Sequence, residues 1–199
     1  DLVEKIRPED LERMMNVNLY GALHATQAVI PVMRKQGSGS IINIASLAGR
    51  RGVSPLGGYS ATKFAMIGLT EALRMEMFGT GIRVSLVMPG VIDTPMTTDA
   101  RINSEELGAM PMPTFFKLPP RWVTWAVMTA AAFGLTEVDV PPGASAAEKI
   151  ASLFPGATDA FLSIGSRMMK AAGRLVGQRA AESQERSEGA EQRIKSASA

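Results

Sequence analysis

Two short runs constrain this chain more than anything else in it: IINIAS at residues 41–46 and IRVSLVM at residues 82–88 are β-branched and almost continuously apolar. Strands of that kind are buried on both faces and belong to parallel sheets. Parallel neighbours cannot be joined by a tight hairpin, so a helix has to cross between them. Helical patterns stand where that requires. Residues 8–36 read as one long helix, with Pro8 in the first turn, Glu9 and Asp10 complementing its N-terminal dipole, Gly37 ending it and Pro31 kinking its last turns. Residues 59–78 form the next helix, bracketed by Gly57 and Gly58 before and Gly79 and Gly81 after.

The alternation continues. Residues 91–120 hold five prolines and form a long connection of the kind that covers a site. Residues 121–134 read as a helix and TEVDV at 136–140 as a third strand, closed by Pro141, Pro142 and Gly143. The fold class is therefore α/β with a Rossmann-like parallel sheet. Two helical stretches follow, at 145–154 and 157–180, and from residue 181 a polar tail with a single large apolar residue, Ile194, reads as disordered. The resulting organisation is a Rossmann-type part at 1–143, a helical extension at 144–180 and a tail at 181–199.

Composition removes several function classes. The 21 basic and 19 acidic residues give a net charge of +2, no footprint for a nucleic-acid partner. No cysteine and a single histidine, His24, exclude thiolate catalysis, Cys-based zinc sites and His-rich metal sites, so no metal is expected. His24 lies mid-helix, outside every motif, and reads as structural. The lack of cysteine fits a reducing, cytoplasmic setting. DLVEKIRPED carries no targeting signature, and the longest apolar run, 14 residues at 122–135, falls short of the ~20 needed to cross a bilayer.

The chemistry concentrates between Ser46 and Lys63. A serine ends a buried strand, and Tyr59 and Lys63 lie four apart on one face of the next helix. An ammonium beside a phenol favours the phenolate, which would bring tyrosine down from its ordinary value of about 10 toward use as a general acid/base. Ser46, at the carboxyl edge where open α/β sheets bind ligands, is placed to hydrogen-bond a carbonyl or alcohol oxygen.

Four motifs in order, NVNLYG with Asn18, NIAS with Ser46, YSATK with Tyr59 and Lys63, and PGVIDT with Pro89, Gly90 and Thr94, give a sequence that resembles the short-chain dehydrogenase/reductase family. The likeness covers residues 1 to about 96 closely and reaches 140 more loosely. It implies hydride transfer between NAD or NADP and a carbonyl/alcohol pair, with Tyr59 as acid/base in a Ser-Tyr-Lys triad. By the same resemblance Lys63 lowers the Tyr59 pKa and bonds the nicotinamide ribose, Ser46 polarises the substrate oxygen, and Asn18 holds the water of a proton relay. Backbone groups after Pro89 and Gly90, around Ile92, and the Thr94 hydroxyl would then meet the nicotinamide carboxamide. The family often dimerises through helices equivalent to 8–36 and 59–78, which implies a homodimer.

The departure from the family pattern is as specific as the match. Family members begin with a strand, a Gly-rich turn and a helix that hold the pyrophosphate. Gly37 to Gly39 precede a strand, and Gly57-Gly58 lack the G-x-G-x-x-G pattern. With Asp at position 1, the chain reads as a fragment carrying the substrate-side half of a reductase, inactive alone. The strand at 41–46 would then expose an unpaired edge. A different class stays open beside this: a truncated, non-catalytic product that acts only through protein association.

Met96, Met110, Met112, Phe115 and Phe116, in or beside the long connection, point to an apolar carbonyl/alcohol substrate or simply pack that segment. The helix at 157–180 carries Arg167, Lys170, Arg174 and Arg179 against Asp159; membrane-surface association is its weaker reading, a solvated face or packing against the body the stronger.

Overall fold

The computed structural model describes residues 1–95, 117–165 and 167. Three parallel strands lie in the order β1 (Gly39–Ile44), β2 (Ile82–Pro89) and β3 (Glu137–Val140). The helices are α1 (Pro8–Met15), α2 (Gly21–Gln36), α3 (Gly57–Glu76), α4 (Arg121–Phe133) and α5 (Ala144–Ala151). The α/β reading from the strand and helix patterns is what the chain adopts.

The period of two along β2 sorts its side chains onto two cores. Ile82, Val84, Leu86 and Met88 face Ile41, Ala45, Met66, Ile67, Leu73 and Met77, the side covered by α2 and α3. Val87 faces the other way, against Ala126 and Ala130 of α4 and Val138 and Val140 of β3. Leu86, Val87 and Met88 are wholly buried, each stabilising the fold by roughly 1.5–3 kcal/mol. Central position explains the nearly continuous apolar run: apart from exposed Arg83, β2 is buried along its length.

The long N-terminal helix departs from expectation. The chain stays helical through Pro31, and a wider π-helical turn at Asn16–Tyr20 divides α1 from α2. The strand at 41–46 also shifts. β1 starts at Gly39 and ends at Ile44, leaving Ala45 and Ser46 beyond it, although the Ala45 N–H still donates to the Val87 carbonyl at 2.9 Å. At the opposite end, Gly81 has φ +81°, and a Cβ there would lie 2.1 Å from the Gly37 carbonyl oxygen. The turns entering β1 and β2 touch backbone to backbone, which only glycine at 81 permits.

Among the described residues β1 pairs only with β2. Its other edge opens on a groove of about 510 Å³ between the strand and α2, lined by Asn18, Val29, Met33, Asn43, Ile44 and Lys63 among others. The expected unpaired edge is thus present, with Ile44 46% exposed.

The connection after β2 is tied at both ends. Ile92 and Leu118 form a parallel bridge, the Asp93 N–H donating to Leu118 at 2.9 Å and the Leu118 N–H to Val91 at 2.8 Å. The expected lid residues Met96, Met110, Met112, Phe115 and Phe116 lie outside the described residues. No described helix is long and apolar enough to cross a membrane, and the described residues contain no metal-holding cluster of His, Cys, Asp or Glu.

Contacts divide the chain into Asp1–Ile150 and Ala151–Ala199. In the second unit residues 155–165 are helical, and Thr158 ties its start, its N–H donating to Phe154 at 3.0 Å and its hydroxyl to Ala151 at 2.9 Å. Of the expected helix at 157–180, residues 168–180 lie outside the described residues, as does the tail from 181.

Candidate active site

Ser46 sits just past β1, with extended backbone (φ −171°, ψ 157°). Its side chain is 3.2 Å from the Ala48 N–H, which it accepts to cap the short 3₁₀ turn Leu47–Gly49. Its hydroxyl donates to the Pro89 carbonyl at 3.2 Å. One buried oxygen therefore joins the ends of two strands and starts the loop to α3.

That loop returns the chain to α3 by a close approach. A Cβ on Gly49 would stand 2.7 Å from the Lys63 carbonyl oxygen and 2.8 Å from Ile67 Cδ1. α3 then begins at Gly57, which places Tyr59 in its first turn beside Ser46 and Lys63 one turn later. The Tyr59 phenol stands near the Ser46 side chain, whose hydroxyl draws its pKa down. Lys63 Nζ lies over the Tyr59 ring, 5.6 Å from its centroid, and donates to the Ile44 carbonyl at 3.1 Å. Serine, tyrosine and lysine are thus brought together at the carboxyl end of β1.

The electrostatics of this arrangement run against the sequence expectation. Burial pushes the Tyr59 phenol up from its ordinary value, and the Ser46 hydroxyl only partly offsets it. Burial likewise holds the Lys63 ammonium below its ordinary value. The reason is geometric: Lys63 is spent on a backbone carbonyl and the ring face, so desolvation outweighs what its charge does for the phenolate.

Asn18 approaches from the π-helical turn. Its Nδ2 donates to Thr62 Oγ1 at 3.1 Å, and that hydroxyl donates to the Tyr59 carbonyl at 2.8 Å. Asn18 and Lys63 line the same groove without a direct hydrogen bond between them. An extra residue in a helical turn re-aims side chains, and such turns are frequent at functional sites. Sequence reading did not find Thr62 or Gly49. The Asn18–Thr62 pair spans 44 residues and has no local signal; a glycine three residues past a strand-ending serine was the available hint for Gly49.

The other expected contacts lie along the end of β2. Pro89 presents its carbonyl to Ser46; the Gly90 N–H donates to Val140 at 2.7 Å, and a Cβ on Gly90 would come within 3.3 Å of that carbonyl. Ile92 is held by the bridge to Leu118, with Thr94 two residues on. The chemistry of this donor set, a phenol, an ammonium and a serine hydroxyl beside a strand end, suits the nicotinamide end of a dinucleotide. No Gly-rich turn between a strand and a helix occurs in the sequence to hold the pyrophosphate.

A parallel sheet with serine, tyrosine and lysine at its carboxyl edge defines a Rossmann-like oxidoreductase architecture. Comparison with known proteins makes that specific. The profile of the family described as short chain dehydrogenase matches residues 2–105, and the chain belongs to that family. Over 118 residues it is 39% identical to a 3-oxoacyl-[acyl-carrier-protein] reductase of Thermotoga maritima, a match covering 58% of this chain and 48% of that protein. Among solved structures, a short chain dehydrogenase from Burkholderia cenocepacia in complex with NADP superimposes with a TM-score of 0.66 at 29% identity, covering 80% of this chain and 62% of the other. A Brucella melitensis 3-ketoacyl-(acyl-carrier-protein) reductase complexed with NADH gives a TM-score of 0.58 at 27% identity, with 70% and 60% covered. The chain spans about half the length of the Thermotoga relative.

Proposed function

We propose that this chain carries the substrate-side half of a nicotinamide-dependent carbonyl/alcohol oxidoreductase site, with Tyr59 as the acid/base. The observation that carries this reading is the placement of Tyr59 between the Ser46 hydroxyl and the Lys63 ammonium at the end of β1. Its family membership and structural neighbours bound to NADP and NADH support a dinucleotide cofactor. When bound, that cofactor supplies or takes up the hydride.

The chain's own groups do the rest. Tyr59 gives its phenolic proton to the carbonyl oxygen during reduction and takes it back during oxidation. Ser46 turns its hydroxyl from the Pro89 carbonyl to the substrate oxygen, which it polarises. Lys63 leaves the Ile44 carbonyl for the cofactor ribose, and its charge then favours the phenolate. Asn18 orients a water that links Lys63 to solvent. Ile92 and Thr94 meet the nicotinamide carboxamide beside Pro89 and Gly90. The substrate is an apolar carbonyl or alcohol, in keeping with the relatives named for oxoacyl chains. Assembly is a homodimer through the helical stretch 8–36 and α3, and the cysteine-free sequence suits a cytoplasmic setting.

The test is turnover of NADH or NADPH by protein containing this chain. Tyr59→Phe lowers kcat by about 100-fold or more while the fold is retained, because only the hydroxyl goes; unchanged kcat would overturn the assignment. A second reading, association without turnover, draws on the open edge of β1. Titration of the 199-residue chain with each dinucleotide separates the two, since tight binding excludes it.

A further inference from the structure

Arg50 takes no part in the chemistry above, yet it ends the turn that Ser46 begins. Ser46 caps Leu47–Gly49 at the front, and at the back the Arg50 N–H donates to the Leu47 carbonyl at 3.0 Å. The Arg50 side chain, 18% exposed, then reaches two other elements. Its Nη1 donates to Glu71 Oε1 of α3 at 3.2 Å. Its Nη2 stands 2.9 Å from Glu137 Oε2 at the start of β3, an ion pair without the alignment of a hydrogen bond. Glu137 is also 3.9 Å from Arg74, which donates to the Val84 and Thr136 carbonyls at 3.2 and 2.8 Å. Arg50 is therefore paired with groups that the sheet itself holds in place.

The turn lies along one ridge of α3. Tyr59, Lys63, Ile67 and Glu71 recur every four residues, and the turn meets them in the same order. Ser46 stands at Tyr59, a Cβ on Gly49 would meet the Lys63 carbonyl and Ile67 Cδ1, and Arg50 reaches Glu71. Gly49 brings no side chain to interlock with the ridge, so register along it is set at the two ends. Partly buried ion pairs suit that task, because desolvation offsets much of their attraction and leaves geometry as their main contribution. Arg51 adds a tie in another direction, its Nη1 donating to Glu148 of α5 at 3.0 Å.

We propose that Arg50 is a positioning residue for Ser46: by pairing with Glu71 and Glu137 it fixes the register of the Leu47–Gly49 turn on α3 and keeps the Ser46 hydroxyl at Tyr59. The role rests on the acid/base reading of Tyr59. In that reading the Ser46 hydroxyl changes partner from the Pro89 carbonyl to the substrate oxygen while its backbone stays in place, and Arg50 holds the far end of the turn during the exchange.

Spectroscopic titration of Tyr59 in the 199-residue chain tests this, since the Ser46 hydroxyl draws the phenol down. Tyrosinate absorbance is read as the difference from Tyr59→Phe. Arg50→Met raises the Tyr59 midpoint by at least about half of the rise that Ser46→Ala causes, and adds little in the Ser46→Ala background, because it acts through that hydroxyl. Loss of a positive charge alone would raise the midpoint in both backgrounds. Glu71→Gln releases the same tie while removing a negative charge, which alone would lower the midpoint, so the expected rise separates register from charge. The Glu71 side chain is 44% exposed, and this variant carries the test if Arg50→Met does not fold. A midpoint unmoved by Arg50→Met while the thermal transition falls marks a purely structural tie and overturns the proposal. So does a rise that persists in full in the Ser46→Ala background, or a midpoint in Glu71→Gln that stays or falls. The readout needs no turnover, so these failures leave Tyr59 as the acid/base, whereas an unchanged kcat in Tyr59→Phe removes that assignment and the role of Arg50 with it.

Discussion

The Ser46 hydroxyl donates to the Pro89 carbonyl at 3.2 Å across 43 residues of sequence, so the ends of β1 and β2 are held by a catalytic candidate's own side chain. Ser46 has one proton to give, and in this arrangement a backbone carbonyl takes it. Ser46→Ala therefore has two consequences. It orphans the Ala48 N–H and costs about 1–3 kcal/mol in urea unfolding. It also removes the one contact that pulls the Tyr59 pKa down, so Tyr59 titrates still higher, measured by tyrosinate absorbance against Tyr59→Phe.

Alkaline stability follows from the same shift. The folded-state pKa of Tyr59 is raised, so the neutral phenol favours the fold at pH values below its unfolded value of about 10. That contribution is lost as pH rises through the folded value. Stability of the chain declines above about pH 10, and Tyr59→Phe removes this part of the decline. Chemical denaturation at a series of alkaline pH values, wild type against variant, measures the difference. Lys63, whose pKa is lowered, contributes in the opposite sense: stability rises as the pH passes upward through its folded value.

Gly49→Ala is expected to be costly although alanine is small. The new Cβ meets the Lys63 carbonyl at 2.7 Å, and a helix backbone cannot give way as a flexible side chain would. A loss of about 1–3 kcal/mol is expected in thermal or urea unfolding. Because the helix that yields carries Lys63, catalysis falls further than stability alone accounts for. A kcat equal to wild type at a temperature where both are folded would contradict this.

Asn43 and Thr70 tie β1 to α3 from inside the core. Asn43 Nδ2 donates to Thr70 Oγ1 at 3.0 Å, and Thr70 donates onward to the Met66 carbonyl at 2.7 Å. Thr70→Val leaves a buried amide without its acceptor, at a cost of about 1–3 kcal/mol. Asn43→Leu together with Thr70→Val costs less than the two single changes added, since neither partner is then left unpaired. A double-mutant cycle in urea gives the coupling.

Local pattern was enough to reveal the parallel α/β class, all three strands and the residues of the candidate triad. Burial on both faces writes itself into composition, and a four-residue spacing on a helix puts Tyr59 and Lys63 on one face without any tertiary information. Tertiary structure decided the rest. The Asn18–Thr62 contact, the backbone approach of Gly49 to Lys63 and the Asn43–Thr70 bond all join residues distant in sequence, whose meeting depends on how the helices lie on the sheet. The direction of the Tyr59 shift belongs with these. Residue spacing shows that a charge is near the phenol, but only the folded packing sets how much water both have lost, and here desolvation is the larger effect.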